Sequence, residues 1–414
     1  MMPNESAPGR PAPADPLRGD AGPGVFGDLA GQDEVVAELR QAAGAAAAVL
    51  RGERATGMTH AWLFTGPPGS GRSVAARAFA AALQCPDHGC GECAACHTVM
   101  AGTHADVREI VPEGLSISVK SMRTLVHSAV RRPAIGRYQV LIVTDADRLT
   151  EQAANALLKF IEEPPDQTIF LLCAPSDHPE DVAVTIRSRC RPVPLRAPAT
   201  EAIADVLVRR DGIDPEQAAW AASVSGGHVG RARRLARDPE ARGHRDIVLG
   251  LPTRLRGIGD AFAFAGDLVR SAREEATELS ESRDAAEREE LAVAMGAGGV
   301  GKGVAAAARG AKAAERELEK LQRSRNTRTQ RDAIDRALVD LAGFYRDALV
   351  VGASAQVPLT NPDREREVRR AATEWAPESV LRRLEAVLAC RTAMDQNVKP
   401  EIAVEAMMTA LQRG

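Results

Sequence analysis

The feature that most constrains the fold is a glycine-rich loop at residues 66–73, with the sequence GPPGSGRS. The short apolar run 61–65 precedes it, and a segment whose apolar residues have helical spacing, 74–83, follows it. Strand, glycine-rich turn and helix in this order form a phosphate-binding loop, because the turn's backbone N–H groups face inward and the helix N-terminus adds positive potential. The sequence therefore predicts an α/β sheet with an anion site at one edge.

Further β-branched and apolar runs extend this prediction. Four of them are predicted as strands: 107–111, 138–144, 167–174 and 191–195. Between them, 121–130 is predicted as a helix with Ser121 as its N-cap, and 151–163 as a helix capped by Thr150 and ended by Pro164. Alternating strands and helices indicate a parallel sheet.

The strands end near residue 200, and helical patterns fill the remainder of the 414 residues. The predicted division is a disordered Pro/Gly/Ala-rich tail at 1–23, an α/β core at 24–196, a small helical domain at 197–252, and an all-α C-terminal domain at 253–414 with a charged insertion at 270–331.

The net charge of −3 provides no overall basic field, so any nucleic-acid contact must come from a local patch. The sequence has no long apolar run for a membrane span and no signal-peptide pattern at its N-terminus. We therefore expect a cytoplasmic protein without membrane contact, with reduced cysteines.

Four of the seven cysteines are close in sequence: Cys85, Cys90, Cys93 and Cys96. Two interlocked C-x2-C steps favour one Zn²⁺ held by four thiolates, with His88 or His97 as a substitute for one cysteine. A closed thiolate shell has no position for a substrate water, so the predicted role is structural. A redox dithiol is the alternative.

The phosphate loop departs from the G-x-x-x-x-G-K-[ST] pattern at one position. Gly66, Gly69 and Gly71 supply the backbone turn and Ser73 the hydroxyl for Mg²⁺, but Arg72 replaces the lysine. The arginine guanidinium is wide and planar, whereas the lysine ammonium is a compact charge. We therefore expect Arg72 to fit the transition state of phosphoryl transfer less well than lysine would. Whether the loop still binds a nucleotide is left open by the sequence.

The segment with the metal-binding carboxylate also departs from the pattern of an active ATPase. Asp145 ends a predicted strand where an aspartate would hold Mg²⁺ through water. Ala146 follows it, where a glutamate would orient the attacking water, and Asp147 is displaced by one residue. ATP with Mg²⁺ is thus a doubtful cofactor, and hydrolysis at this site is not expected.

Two charged regions have several interpretations. The first is a loop with four arginines, at 187, 189, 191 and 196. It can be interpreted as a solvated loop, as a patch that binds phosphodiesters, or as a loop that donates an arginine to a neighbouring subunit.

The second is the region 270–331, which is acidic and then basic. Its glycine-rich break at 296–303 matches part of the phosphate-loop pattern but lacks a serine or threonine after Lys302. We interpret it as two solvated helices joined by a hinge.

Several ordered motifs resemble the AAA+ core of bacterial clamp-loader subunits from residue 26 to about 195. They are F-x-x-L-x-G-Q at 26–32, the loop at 66–73, the cysteine cluster, AGTHADV at 101–107, VTDADRLTEQAANALLKFIEEPP at 143–165 and IRSRC at 186–190. The likeness continues weakly to residue 251, and a helical collar domain beyond that is expected by analogy.

Within this family, the chain more closely resembles the delta-prime branch than the ATP-hydrolysing gamma/tau branch. The gamma/tau branch keeps the loop lysine and the glutamate that Arg72 and Ala146 replace here. In the lid segment 225–235, Gly230 stands where a sensor arginine is expected, with Arg231 one place away. The insertion 270–331 corresponds to nothing in the family.

The resemblance implies a subunit that joins delta and gamma/tau in a ring that opens the sliding clamp and loads it on primed DNA when ATP is bound. Arg189 would act as an arginine finger in the adjacent gamma/tau site. Two rivals remain: an active gamma/tau-like ATPase, and a Zn-dependent nucleic-acid-binding protein that uses 85–96 and 187–196.

Overall fold

A computed structural model describes residues 24–112, 114–129, 132–294 and 304–414. The predicted tail at 1–23 and the proposed hinge at 296–303 lie outside the described residues. Five parallel strands form one sheet in the order β2-β3-β4-β1-β5. Their bounds are β1 Ala61–Thr65, β2 Val107–Ile110, β3 Gln139–Val143, β4 Thr168–Ala174 and β5 Arg191–Pro194. The predicted parallel α/β core is confirmed.

Helices cover both faces of the sheet, and every residue of β1, β3 and β4 is buried. The helices of this region are α1 Asp33–Leu50, α2 Arg72–Gln84, α3 Ala94–Met100, α4 Val119–Ala129, α5 Glu151–Glu162 and α6 Val184–Arg187. One apolar cluster packs Leu39 and Phe79 on one face, and another packs Met122 and Leu157 on the other. Because all strands are parallel, their carboxyl ends meet at one edge, where ligands bind in such folds.

The N-caps of two helices test the sequence prediction. The Ala153 N–H donates to Thr150 Oγ1 at 3.3 Å, so the predicted cap of α5 is confirmed. The predicted Ser121 cap of α4 is wrong, because α4 begins at Val119 and the Ser121 N–H donates to Ser118 Oγ at 3.2 Å. A bridge from Ile117 to Leu149 fixes the chain just before Ser118, which moves the helix start upstream.

Asp106 stabilises the turn that leads into β3 by accepting hydrogen bonds from its backbone. Its carboxylate is 1% exposed and accepts N–H bonds from Ala134, Ile135 and Gly136 at 2.7, 2.9 and 2.6 Å. Burial raises the pKa of this carboxyl, but the three donors and nearby His104 outweigh burial and leave the pKa below its ordinary value. The aspartate of the AGTHADV motif is therefore a structural anchor.

Replacing Asp106 by alanine should lower the free energy of unfolding at pH 7 by about 2 kcal/mol, because three part-buried N–H groups lose a charged acceptor. The pKa of Asp106 is lower in the folded than in the unfolded protein. Its contribution to the free energy of unfolding is therefore fully present above the unfolded pKa of about 3.9, and it is lost as the pH falls through the folded pKa. Urea unfolding of both proteins from pH 7 to pH 3 measures this. The exposed Asp177→Ala is the control, and equal stability of Asp106→Ala and wild type at pH 7 would refute the anchor.

The next four helices form a small helical unit with its own apolar cluster, which includes Ile203, Leu207 and Leu235. They are α7 Thr200–Asp211, α8 Pro215–Ser223, α9 Val229–Arg237 and α10 Pro239–Arg254. Arg245 of α10 is 3% exposed and donates to Asp363 and Asn361, at 2.6 and 2.8 Å, which ties this unit to the C-terminal helices.

The C-terminal region is helical, as predicted. Its helices are α11 Ile258–Ala294, α12 Val304–Gly352, α13 Glu365–Glu374, α14 Pro377–Asp395 and α15 Pro400–Arg413, and their shared core includes Leu338, Phe344 and Tyr345. The boundaries predicted between domains stay predictions. Across the described ranges, no helix is long and apolar enough to span a membrane.

The described parts of the charged segment, 270–294 and 304–331, belong to α11 and α12, which pack against each other. The expectation of two fully solvated helices is wrong on their inner faces. Gln322 is 3% exposed, and Arg325 binds Glu287 at 2.7 Å and also pairs with Asp284. The Arg325 guanidinium lowers the pKa of Glu287 to about 2. Arg325 of the basic half thus neutralises Asp284 and Glu287 of the acidic half across the helix pair.

Candidate functional site

The glycine-rich loop follows β1 and lines a cavity of about 460 Å³. This cavity lies between the sheet edge and the small helical unit α7–α10, which we call the lid. Of the predicted residues, Gly69, Gly71, Arg72, Ser73 and Asp145 line this cavity. Gly69 and Gly71 have φ values of +86° and +91°, which favour glycine. A Cβ on Gly69 would lie 2.5 Å from the His228 Cα, so the lid packs directly on the loop.

Arg72 does not extend from the loop as a free cation. Its Nη1 donates to the Gly66 carbonyl at 2.7 Å, so the guanidinium closes the loop on itself. Ser70 is 3% exposed, and its Oγ has no hydrogen-bond partner. Ser70 also lines the cavity, so the loop contains a buried hydroxyl without a partner.

Asp145 lies at the end of β3, where the sequence places a metal-binding carboxylate. Its Oδ2 accepts from Arg328 Nη2 of α12 at 2.8 Å, and Arg328 also donates to the Pro112 carbonyl. Ala146 and Asp147 lie in the following 3-10 turn, and burial raises the pKa of the Asp147 carboxyl. An arginine therefore holds the carboxylate that Mg²⁺ would use.

The lid places a histidine and several arginines at or near the cavity. His228 caps α9, since its Nδ1 accepts from the Arg231 N–H at 3.2 Å, and burial with the charge of Arg231 lowers the pKa of His228. Gly230 lines the cavity without a side chain. The Arg231 side chain pairs with Asp340 of α12 instead, and Arg233 binds Asp211 at 2.6 Å.

The four predicted thiols meet between the end of α2 and the first turn of α3. Their Sγ atoms all lie within 4.8 Å of one another, and Cys85 Sγ is 3.6 Å from that of Cys90 and 3.7 Å from that of Cys93. Four sulfurs about 2.3 Å from a tetrahedral ion are separated by about 3.8 Å, so the spacing fits one metal ion. His88 and His97 do not belong to the group.

Backbone N–H groups support the thiols. The Asp87 N–H donates to Cys85 Sγ at 3.3 Å, and the Gly91 N–H donates to Cys96 Sγ at 3.4 Å. N–H groups of Glu92 and Cys93 lower the pKa of Cys90 to about 7. The Val25 N–H donates to the Gly89 carbonyl at 3.1 Å, so the loop also secures the first described turn, Gly24–Phe26. This donor set could bind a metal ion.

Arg189 lies away from the phosphate loop and does not line its cavity. Its Nη2 is 2.7 Å from Glu162 Oε1, its Nη1 donates to the Thr185 carbonyl at 2.9 Å, and its side chain is 40% exposed. The guanidinium therefore serves no group in this chain's own pocket.

Two family models match the chain. The model described as "DNA polymerase III, delta subunit" matches residues 45–199, which include the loop, the thiols and Arg189. The model described as "DNA polymerase III, delta subunit, C terminal" matches residues 321–413. Over these two ranges the chain is similar to the DNA polymerase III delta subunit family. The second model includes the end of the charged segment, 321–331, and with it Arg328, so the expectation that the whole of 270–331 corresponds to nothing in the family is wrong for these residues.

Individual relatives carry two subunit names. The DNA polymerase III subunit delta' of Bacillus subtilis (strain 168) is 32% identical over 214 residues, which cover 51% of this chain and 64% of the relative. The subunit tau/gamma of Haemophilus influenzae (strain ATCC 51907 / DSM 11121 / KW20 / Rd) is 33% identical over 180 residues, which cover 42% of this chain and 24% of the relative. The chain thus spans less than two thirds of either relative.

A solved structure of a gamma-subunit-related protein of DNA polymerase III from Thermotoga maritima aligns with 85% of this chain and 93% of its own length. The identity is 15% and the TM-score is 0.35, which is too low to imply the same arrangement of domains.

Sequence reasoning missed Arg328 and His228 as pocket residues. Arg328 is 183 positions from Asp145 and lies in a run of similar arginines. His228 had a local signal, because it lies in the lid segment where the missing sensor arginine was sought.

Proposed function

We propose that this chain is the delta-prime subunit of a bacterial clamp loader and that it contributes by assembly instead of by its own ATP hydrolysis. The observation that carries the proposal is the pocket: Arg72 is directed back to the Gly66 carbonyl of its own loop, and Arg328 pairs with the Asp145 carboxylate that Mg²⁺ would need. Similarity to the family over the two matched ranges supports the complex, and relatives named delta' support the branch.

The residues at the pocket do not fit a hydrolytic Mg²⁺ site. Such a site needs a carboxylate open to the ion and a group that orients water. Here the Asp145 carboxylate is engaged, and Ala146 carries no polar group. No hydrolytic step is assigned to this chain.

The exposed Arg189 supports a role in trans. Among the described residues, one 2.7 Å ion pair with Glu162 and hydrogen bonds to Thr185 and Ser188 hold the side chain. An exposed pair of this kind costs about 1 kcal/mol or less to break, so the guanidinium can be redirected to a neighbour's phosphate. On this proposal, Arg189 neutralises charge on the phosphoryl group that transfers in an adjacent gamma/tau subunit.

The thiols fit Zn²⁺, which prefers four thiolates in a closed structural site. Bound zinc would cross-link the loop between α2 and α3 and hold the turn at Gly24–Phe26. On this proposal zinc makes the α/β core a rigid platform for delta and gamma/tau and, through them, for the sliding clamp and primed DNA.

A reconstitution that omits this chain tests the function. We expect gamma/tau, delta and this chain to form one complex that loads the clamp on primed DNA, and we expect loading to fail when the chain is left out. Full loading without the chain would contradict the proposal. Tight, salt-sensitive DNA binding by the isolated chain would favour the nucleic-acid-binding alternative instead.

A further inference from the structure

The long helix α12 reaches the pocket from the opposite end of the chain. Arg328 donates to the Asp145 carboxylate at 2.8 Å and to the Pro112 carbonyl, two groups that end β3 and follow β2. Its side chain is 20% exposed, and that of Asp145 is 23% exposed. The guanidinium therefore lies at the carboxyl ends of two parallel strands, which is the edge of the sheet where ligands bind in such folds.

Neighbouring contacts fix α12 in this place. Lys120 of α4 pairs with Glu317 at 3.3 Å, and Arg331 donates to the Met394 carbonyl at 2.9 Å. One turn after Arg328, Asp332 lies 3.8 Å from its Nε. Because α12 packs against α11 and α14, and Arg328 itself has two acceptors at the sheet edge, Arg328 is a preorganised cation and not a freely moving side chain.

The cavity keeps features of an anion site. It holds about 460 Å³ and is lined by Gly69, Gly71 and Ser70, whose buried Oγ has no partner. The Gly71 N-cap opens the 13-residue helix α2, whose first N–H groups and dipole favour negative charge. The volume suits a small ligand, and an unsatisfied buried hydroxyl indicates that a polar group belongs beside it.

We propose that this pocket binds a nucleotide polyphosphate without a divalent cation, because Arg328 occupies the place of the metal at Asp145. A guanidinium offers several donors, so the one side chain can keep its bond to Asp145 and still face an anion. Nucleotide then acts as a structural ligand that joins the core, the lid and α12, and it is not turned over. This inference goes beyond the proposed function, because it concerns binding by the isolated chain and holds whether or not clamp loading does.

The test is the affinity of the full-length chain for ATPγS, measured by calorimetry with Mg²⁺ and in Mg²⁺-free buffer. No chelator is added, since it would also remove metal from the thiols. We expect binding in both buffers, with dissociation constants that agree within about twofold. Without Mg²⁺, Arg328→Ala should bind roughly tenfold to a hundredfold more weakly, because a charged contact is lost, and added Mg²⁺ should restore part of the affinity.

Arg323→Ala is the matched control, because Arg323 lies on the same helix, its side chain is 80% exposed, and it pairs with Glu319. It should bind like wild type. Arg328→Lys keeps the charge and should fall between wild type and Arg328→Ala, which guards against a folding defect in the alanine variant. Failure of wild type to bind in either buffer, or binding that requires Mg²⁺, would overturn the proposal. Normal clamp loading alongside that failure would leave the proposed function intact.

Discussion

Arg189→Ala should assemble with gamma/tau and delta as wild type does, but the resulting loader should hydrolyse ATP more slowly in the presence of clamp and primed DNA. An arginine finger contributes on the order of 10³-fold or more to turnover at the site it serves. Only the adjacent site loses this contribution, so the steady-state rate should fall to what the remaining sites supply. The measurement is phosphate release by the purified complex.

Arg187→Ala provides a matched control in the same segment. Its side chain is 41% exposed, against 40% for Arg189, and it likewise donates to a nearby carbonyl, that of Asp177. We expect the control loader to keep its ATPase. If the two variants behave alike, whether both active or both slow, the assignment of the finger to Arg189 is wrong and the segment acts only as a charged surface.

Cys90→Ser should abolish stoichiometric zinc binding and strongly destabilise the core around the loop. Zinc bound by four thiolates contributes on the order of 10 kcal/mol of apparent free energy, and a serine hydroxyl is a poor substitute for a thiolate. The effect should spread to the turn Gly24–Phe26, because the Val25 N–H donates to the Gly89 carbonyl. Elemental analysis gives the zinc content, and thermal unfolding gives the loss of stability.

Cys390→Ala is the control for this experiment, because Cys390 is buried in the C-terminal helices away from the four thiols. It should keep one zinc per chain. Wild-type protein that is purified with no zinc, takes up none on reconstitution and is as stable as Cys90→Ser would contradict the structural metal and favour the redox alternative.

The core could be predicted well because its signals are local. The β-branched run of β3 and the phosphate loop each determine a strand or turn through neighbouring residues. The four thiols are within twelve positions of each other, so their meeting needs little tertiary information. The start of α4 was misplaced by two residues because the Ile117–Leu149 bridge, a tertiary contact, decides it.

The pocket's actual electrostatics could not be predicted, since they depend on where a distant helix lies. In the sequence, Arg328 is one of many basic residues in the second half of the charged segment, and nothing local links it to Asp145. The same is true of Arg231, which pairs with Asp340 of α12. The sequence identified the departures at Arg72 and Ala146, and the structure adds the cation that occupies the site.

The most direct test of the central claim is the rate of ATP hydrolysis by the purified chain alone, compared with that of the assembled loader, in Mg²⁺ with clamp and primed DNA. We expect no turnover above background for the chain alone and full, DNA-stimulated turnover for the loader that contains it. Sustained hydrolysis by the isolated chain that Ser73→Ala abolishes would contradict the claim and would identify an active gamma/tau-like ATPase.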